Sequence, residues 1–126
     1  MTVQEYAAEG QRLSRLIDEA VEELSAAAVG CATFEREYRR AKAEAWGKAP
    51  EGTVPVREAW VNAEVGDQRF ERDKAEGERV SALESLRSRR AQLSFLQTLM
   101  KATSEDMQFH ATGQADMQGA NEEVPF

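Results

Sequence analysis

The sequence predicts an all-α fold, a long antiparallel helical hairpin of coiled-coil type that oligomerises and carries a disordered acidic C-terminal tail. Three observations predict it. Small and apolar residues recur every seven positions between Tyr6 and Ala45. Two glycines and two prolines (Gly47, Pro50, Gly52 and Pro55) form one dense interruption. Residues 103–126 hold five acids and no base. The expected division is a helical hairpin over 1–112 and a tail over 113–126. Within the hairpin the reading gives a helix at 3–47, a turn at 47–55, a helix at 55–102 and a short helix or extension at 103–112.

The first helix opens on Thr2-Val3-Gln4-Glu5. This is a capping box, in which the Thr2 hydroxyl and the Glu5 carboxylate each accept from the other's backbone amide. Tyr6, Leu13, Ala20, Ala27, Phe34 and Ala41 form one seven-residue series. Gly10, Ile17, Leu24, Cys31, Tyr38 and Ala45 form a second, offset by four. Interleaved steps of four and three make the apolar seam of a coiled coil. Alone, such a helix would leave its stripe in water, so it requires a partner. Cys31 lies on the stripe and reads as a small core residue. As the single cysteine it excludes an internal disulfide.

The Pro/Gly cluster ends this helix and starts the next, with Thr53 or Val54 as N-cap. The connection is short enough to make the two helices antiparallel neighbours. A hairpin centred near Glu51 pairs residue i with about 102 − i, which sets Leu24 near Glu78–Val80, Ile17 near Leu86 and Leu13 near Gln92. On the second helix, Val56, Ala59, Ala63, Gly66, Phe70, Gly77 and Val80 give a weak seam broken by Asp73. Leu83, Leu86, Leu93, Leu96 and Met100 give a stronger one in another register. The mismatch predicts a stammer near Val80–Leu86. Residues 100–109 overhang the first helix. They are expected either to fold back after a break at Thr103-Ser104 or to pack on another subunit.

The formal charge of −7 is unevenly spread. Residues 1–49 carry −2, residues 55–102 carry +1, and residues 103–126 carry −5. The body is nearly neutral and the tail acidic. The N-terminal ten residues lack a basic start and an apolar run, and no stretch reaches the roughly 18 apolar residues of a membrane span. A cytoplasmic protein is expected. Phosphate-binding loops, paired catalytic carboxylates and nucleophile elbows are absent, and His110, the one histidine, has no plausible co-ligand. The chain is therefore expected to be non-enzymatic, with no cofactor and no metal.

Two surfaces remain as candidates. Arg36, Arg39, Arg40 and Lys42 lie towards the turn, with Arg69, Arg72 and Lys74 on the neighbouring stretch and Trp46 and Trp60 flanking the same end. Guanidinium groups beside exposed indoles suit single-stranded DNA, where phosphates meet charge and bases stack on rings. Arg87, Arg89 and Arg90 form a second basic group. Interspersed Glu35, Glu37, Glu64, Glu71 and Asp73 offer the alternative of ordinary solvated helix faces.

The other surface is Glu122-Glu123-Val124-Pro125-Phe126. The Phe126 ring can fill an apolar pocket while its α-carboxylate meets a basic side chain. Pro125 stiffens the approach, and the two glutamates suit a basic rim. This ending resembles the acidic tip of bacterial single-stranded-DNA-binding proteins, which recruits replication, recombination and repair enzymes. The family's usual oligonucleotide-binding barrel has no counterpart upstream. The body, through Ala82-Leu83-Glu84-Ser85-Leu86-Arg87-Ser88-Arg89-Arg90-Ala91-Gln92-Leu93, is loosely similar to small helical-hairpin proteins of actinobacterial phages. The resemblances together imply an oligomeric protein of phage-type replication or recombination that binds single-stranded DNA and recruits tip-binding enzymes. The alternative is an adaptor or inhibitor that occupies the same pockets without touching DNA. Secreted hairpins of the WXG type fit less well, because Trp46 is followed directly by Gly47.

Overall fold

The computed structural model describes the backbone of residues 1–122 and the side chains of residues 1–110. Three helices follow one another: α1 (Val3–Lys48), α2 (Val54–Glu64) and α3 (Gly66–Glu122). Among the described residues there is no strand.

The capping box starts α1 as expected. The Thr2 amide donates to Glu5 Oε2 at 2.9 Å and the Glu5 amide donates to Thr2 Oγ1 at 3.1 Å. The helix then runs 46 residues without proline and stops at Lys48, whose cation suits the helix C-terminus. Thr53 occupies the N-cap position of α2 with extended backbone, but its hydroxyl makes no capping bond. Pro55, in the first turn, needs no amide partner there.

The second helix is not continuous over 55–102. Val65 leaves helical geometry (φ −101°, ψ 15°) and separates α2 from α3. The interruption is slight. The Val65 amide still donates to Val61 O at 3.1 Å, and the Arg69 amide to Val65 O at 2.9 Å. Further on, the backbone stays helical through Thr103-Ser104, where a break was one of the two alternatives, and on to Glu122. Neither residue removes an amide donor as proline would, so the ladder has no reason to stop there.

The chain divides into two compact units, Ile17–Ser88 and Met1–Leu16 with the chain from Arg89 onward. In the Ile17–Ser88 unit, Tyr38, Ala45, Val61 and Val65 form the core, with Ala41, Trp46, Ala49 and Trp60 packed around it. Val61 is fully buried. Cys31 Sγ donates to Ala75 O at 3.2 Å, and the Arg72 guanidinium lies 4.2 Å from the Tyr38 ring centre. In the other unit Gly10 sits against Leu96, and the Tyr6 and Thr103 hydroxyls are 3.5 Å apart. In both units, later residues of α1 meet earlier residues of α3. The partners fall four to eight residues beyond the expected 102 − i, because the first turn of α2 is used past the end of α1.

All twelve positions of the two α1 series are buried or half-buried. The weak seam on the second helix is not. Val56, Ala59, Ala63, Gly66, Phe70, Gly77 and Val80 are all exposed. The buried face instead follows Val61, Ala75, Ala82, Arg89, Leu96 and Thr103, interleaved with Val65, Arg72, Arg79, Leu86, Leu93 and Met100. Every step within each series is a multiple of seven. One register therefore serves from Val61 to Thr103, and the expected stammer near Val80–Leu86 is absent. The arginines hold these places as half-buried side chains whose heads bond polar neighbours, Arg72 to Asp73, Arg79 to Glu76 and Arg89 to Gln92.

This burial pattern sets the expected response to truncation. Leu86→Ala should lower stability by about 2–3 kcal/mol in urea unfolding. Val29→Ala, at a site 65% exposed on α1, should change it by no more than about 0.5 kcal/mol.

Candidate partner-binding and nucleic-acid surfaces

The tryptophans are the first test of a single-strand surface. The structure brings Trp46 and Trp60 to one end of the Ile17–Ser88 unit, as expected, but both rings pack against the Tyr38–Ala45–Val61–Val65 core. The Arg57 guanidinium stacks 5.5 Å from the Trp46 ring centre and donates to Trp46 O at 3.3 Å. Arg57 Nε is buried without a partner. The tryptophans thus pack on the core at the turn end, where Arg57 lies over the Trp46 ring and Trp60 stays half-exposed.

Four of the ten candidate cations, Arg39, Lys42, Arg72 and Arg87, have carboxylate or aromatic partners. Arg39 Nε donates to Glu35 Oε1 at 2.9 Å. Arg72 donates twice to Asp73 Oδ1, at 3.0 and 3.1 Å, and stands 3.9 Å from Glu35. The Asp73 hydrogen bond is the main reason its guanidinium pKa is raised. Lys42 lies 5.8 Å from the Tyr38 ring centre. Arg87 pairs with Glu84 at 3.1 Å. Arg89 is half-buried on the seam and donates to Gln92 Oε1 at 3.4 Å. Arg36, Arg40, Arg69, Lys74 and Arg90 are exposed and make no ion pair among the described residues.

Cys31 sits in a small polar network that the sequence did not reveal. Its thiol is 3.4 Å from Glu76 Oε2, and Glu76 also accepts from Arg79 Nε at 3.0 Å. Desolvation, then the Glu76 carboxylate, push the thiol pKa above its ordinary value. The Arg79 hydrogen bond, then the thiol, lower that of Glu76. The thiol is therefore held protonated at neutral pH, the opposite of what a nucleophile or metal ligand needs. His110 lies 3.6 Å from Asp106 on an exposed helix face. No group of three His, Cys, Asp or Glu able to hold a metal occurs among the described residues. No helix of the described residues is long and apolar enough to cross a membrane.

The tip falls outside this picture. Glu123, Val124, Pro125 and Phe126 lie outside the described residues, and for Glu122 only the helical backbone is described. In the unit that leads towards it, Val3, Tyr6, Met100, Thr103, Ser104, Met107 and Gln108 line an open groove of about 440 Å³. No family model, curated protein or solved structure matches the chain.

The packed tryptophans and the shielded thiol each give an expected outcome. Trp60→Ala should cost about 2 kcal/mol in thermal unfolding, less than the ~3–5 kcal/mol of a fully buried aromatic because the ring is half-exposed. Alkylation of Cys31 at pH 7 should be slower in the folded chain than in urea. Glu76→Gln should speed it, since removing the carboxylate lowers the thiol pKa and raises the thiolate fraction.

Proposed function

We propose that this chain is a non-enzymatic helical adaptor that delivers Glu122-Glu123-Val124-Pro125-Phe126 to the pockets that receive the tips of bacterial single-stranded-DNA-binding proteins. The observation that carries the reading is the segment itself. Acids precede an aliphatic residue, proline and phenylalanine, and residues 103–126 supply no base to neutralise them. In this reading the body is an antiparallel helical hairpin, assembled as an oligomer, that holds several tips at once. Its work belongs to phage-type replication or recombination, in the cytoplasm. The engaged tryptophans and paired arginines favour the adaptor over a protein that binds the strand itself.

Direct binding of single-stranded DNA is the second reading, and it now rests on fewer groups. Arg36, Arg40, Arg69 and Lys74 are the exposed cations near the turn without ion pairs among the described residues. Contact through them would be phosphate-directed, sequence-tolerant and steeply salt-dependent. It would not quench tryptophan fluorescence by stacking.

Competition separates these readings. A peptide of the last nine residues should displace a labelled tip peptide of a single-stranded-DNA-binding protein from a tip-receiving enzyme. Phe126→Ala should weaken that binding at least about 30-fold, as expected for an anchoring aromatic worth 2 kcal/mol or more. One residue added after Phe126 keeps the ring but moves the carboxylate, and should weaken binding comparably. Failure to displace the tip from every receiving enzyme tried would refute the adaptor. Salt-sensitive binding of a labelled oligonucleotide that is lost on Arg36→Glu with Arg40→Glu would restore the DNA-binding reading.

A further inference from the structure

One helical face meets α1, and the opposite face carries a second apolar stripe. Val56, Ala59, Ala63, Gly66, Phe70, Gly77 and Val80 follow steps of three, four or seven and are all exposed. Val56 is 59%, Phe70 64% and Val80 44% exposed. The slight break at Val65 does not interrupt the stripe, because the backbone bonds on either side of it are kept. Asp73 is the one charged residue in it, and its carboxylate accepts two bonds from Arg72.

We propose that this stripe is the docking face for a second copy of the chain, the two stripes running antiparallel about a two-fold axis near residue 68. Shape is the first argument. A two-fold contact needs a surface complementary to itself. In this register Phe70 of each copy stands opposite Gly66 of the other, and Ala59 stands opposite Gly77. The two valines at the ends, Val56 and Val80, meet each other. Gly66 and Gly77 are open notches, since a Cβ on either would meet nothing within 4 Å. The one large ring therefore faces a gap on both sides of the axis.

Area is the second argument. A stable two-fold contact buries apolar surface on each partner, and Val56, Phe70 and Val80 are each more than two-fifths exposed and able to supply it. The core is also thin, with three alanines among its nine buried residues, so covering the stripe adds burial where the single chain has little. Charge is the third argument. Lys74 and Arg69 flank the stripe, and in this register Arg69 of each copy stands opposite Asp67 of the other, so the face is matched in charge to itself. The groove at Val3, Tyr6, Met100 and Met107 is a poorer self-contact, because Glu5, Glu105 and Asp106 neighbour its lining residues in sequence.

This inference is independent of the proposed tip function, because Phe126→Ala leaves the stripe intact and changes at residues 66 and 70 leave the tip intact. Sedimentation equilibrium of the full chain tests it. The wild-type chain should be a dimer at tens of micromolar. Phe70→Glu and Gly66→Leu should each raise the dissociation constant at least tenfold, while circular dichroism stays as helical as before. Both sites are open in the single chain, so neither change disturbs its packing. Asp73→Ala should tighten the dimer. A monomeric wild-type chain, an odd-numbered assembly, or a dimer indifferent to both Phe70→Glu and Gly66→Leu would overturn the proposal.

Discussion

The structure depends on a seam that is narrow because α1 supplies small residues to it. Gly10, Ala20, Ala27, Cys31, Ala41 and Ala45 let a facing helix approach closely. Close approach brings backbone within reach of side chains, and Cys31 donating to the Ala75 carbonyl is its direct sign. The same small residues bury little area. Among the described residues Val61 alone is fully buried, and each buried alanine adds far less than a leucine would. Aromatics compensate at the turn end, where Tyr38, Trp46 and Trp60 gather around Val61 and Val65. Those tryptophans serve stability through their packed sides.

How legible each part was follows from residue chemistry. The α1 seam was readable because its occupants are apolar or small throughout, and all twelve positions are buried or half-buried. On α3 the same seven-residue rule places Arg72, Arg79 and Arg89 in the seam, and a reading by hydrophobicity passes over them. It settles instead on Val56, Ala63 and Phe70, which have the right spacing and lie on the opposite face. A usable signal was present. Extending the series of Leu86 and Leu96 backwards by sevens reaches Val65, Ala82, Ala75 and Val61, all buried or half-buried. The Pro/Gly cluster marked the connection correctly, but the interruption at Val65 had no marker beyond the following glycine. The candidate site divides the same way. Charge and spacing identified the basic residues, but only coordinates show which guanidinium groups already have carboxylates. The tip was legible as sequence alone and lies outside the described residues.

The chain's charge is distributed unevenly along its length. Some charges in the body are paired at three or four residues' spacing, as with Arg12 and Glu9 or Arg79 and Glu76. Such exposed pairs add little stability. Acids without bases accumulate only after Lys101.

The central structural claim is that one seam register runs from Val61 to Thr103, with arginine stems filling some of its places. Arg89 tests it most directly, because it lies between Ala82 and Leu96 in its series and makes only a 3.4 Å contact with Gln92. Arginine and leucine have similar helix propensities, so exchanging them isolates the seam. The decisive measurement is the urea unfolding free energy of Arg89→Leu. The shared register predicts a gain of about 1 kcal/mol, the low end for replacing an ionic group in a packed site because Arg89 is partly exposed. An unchanged or lowered stability would contradict it and place residue 89 outside the packed face.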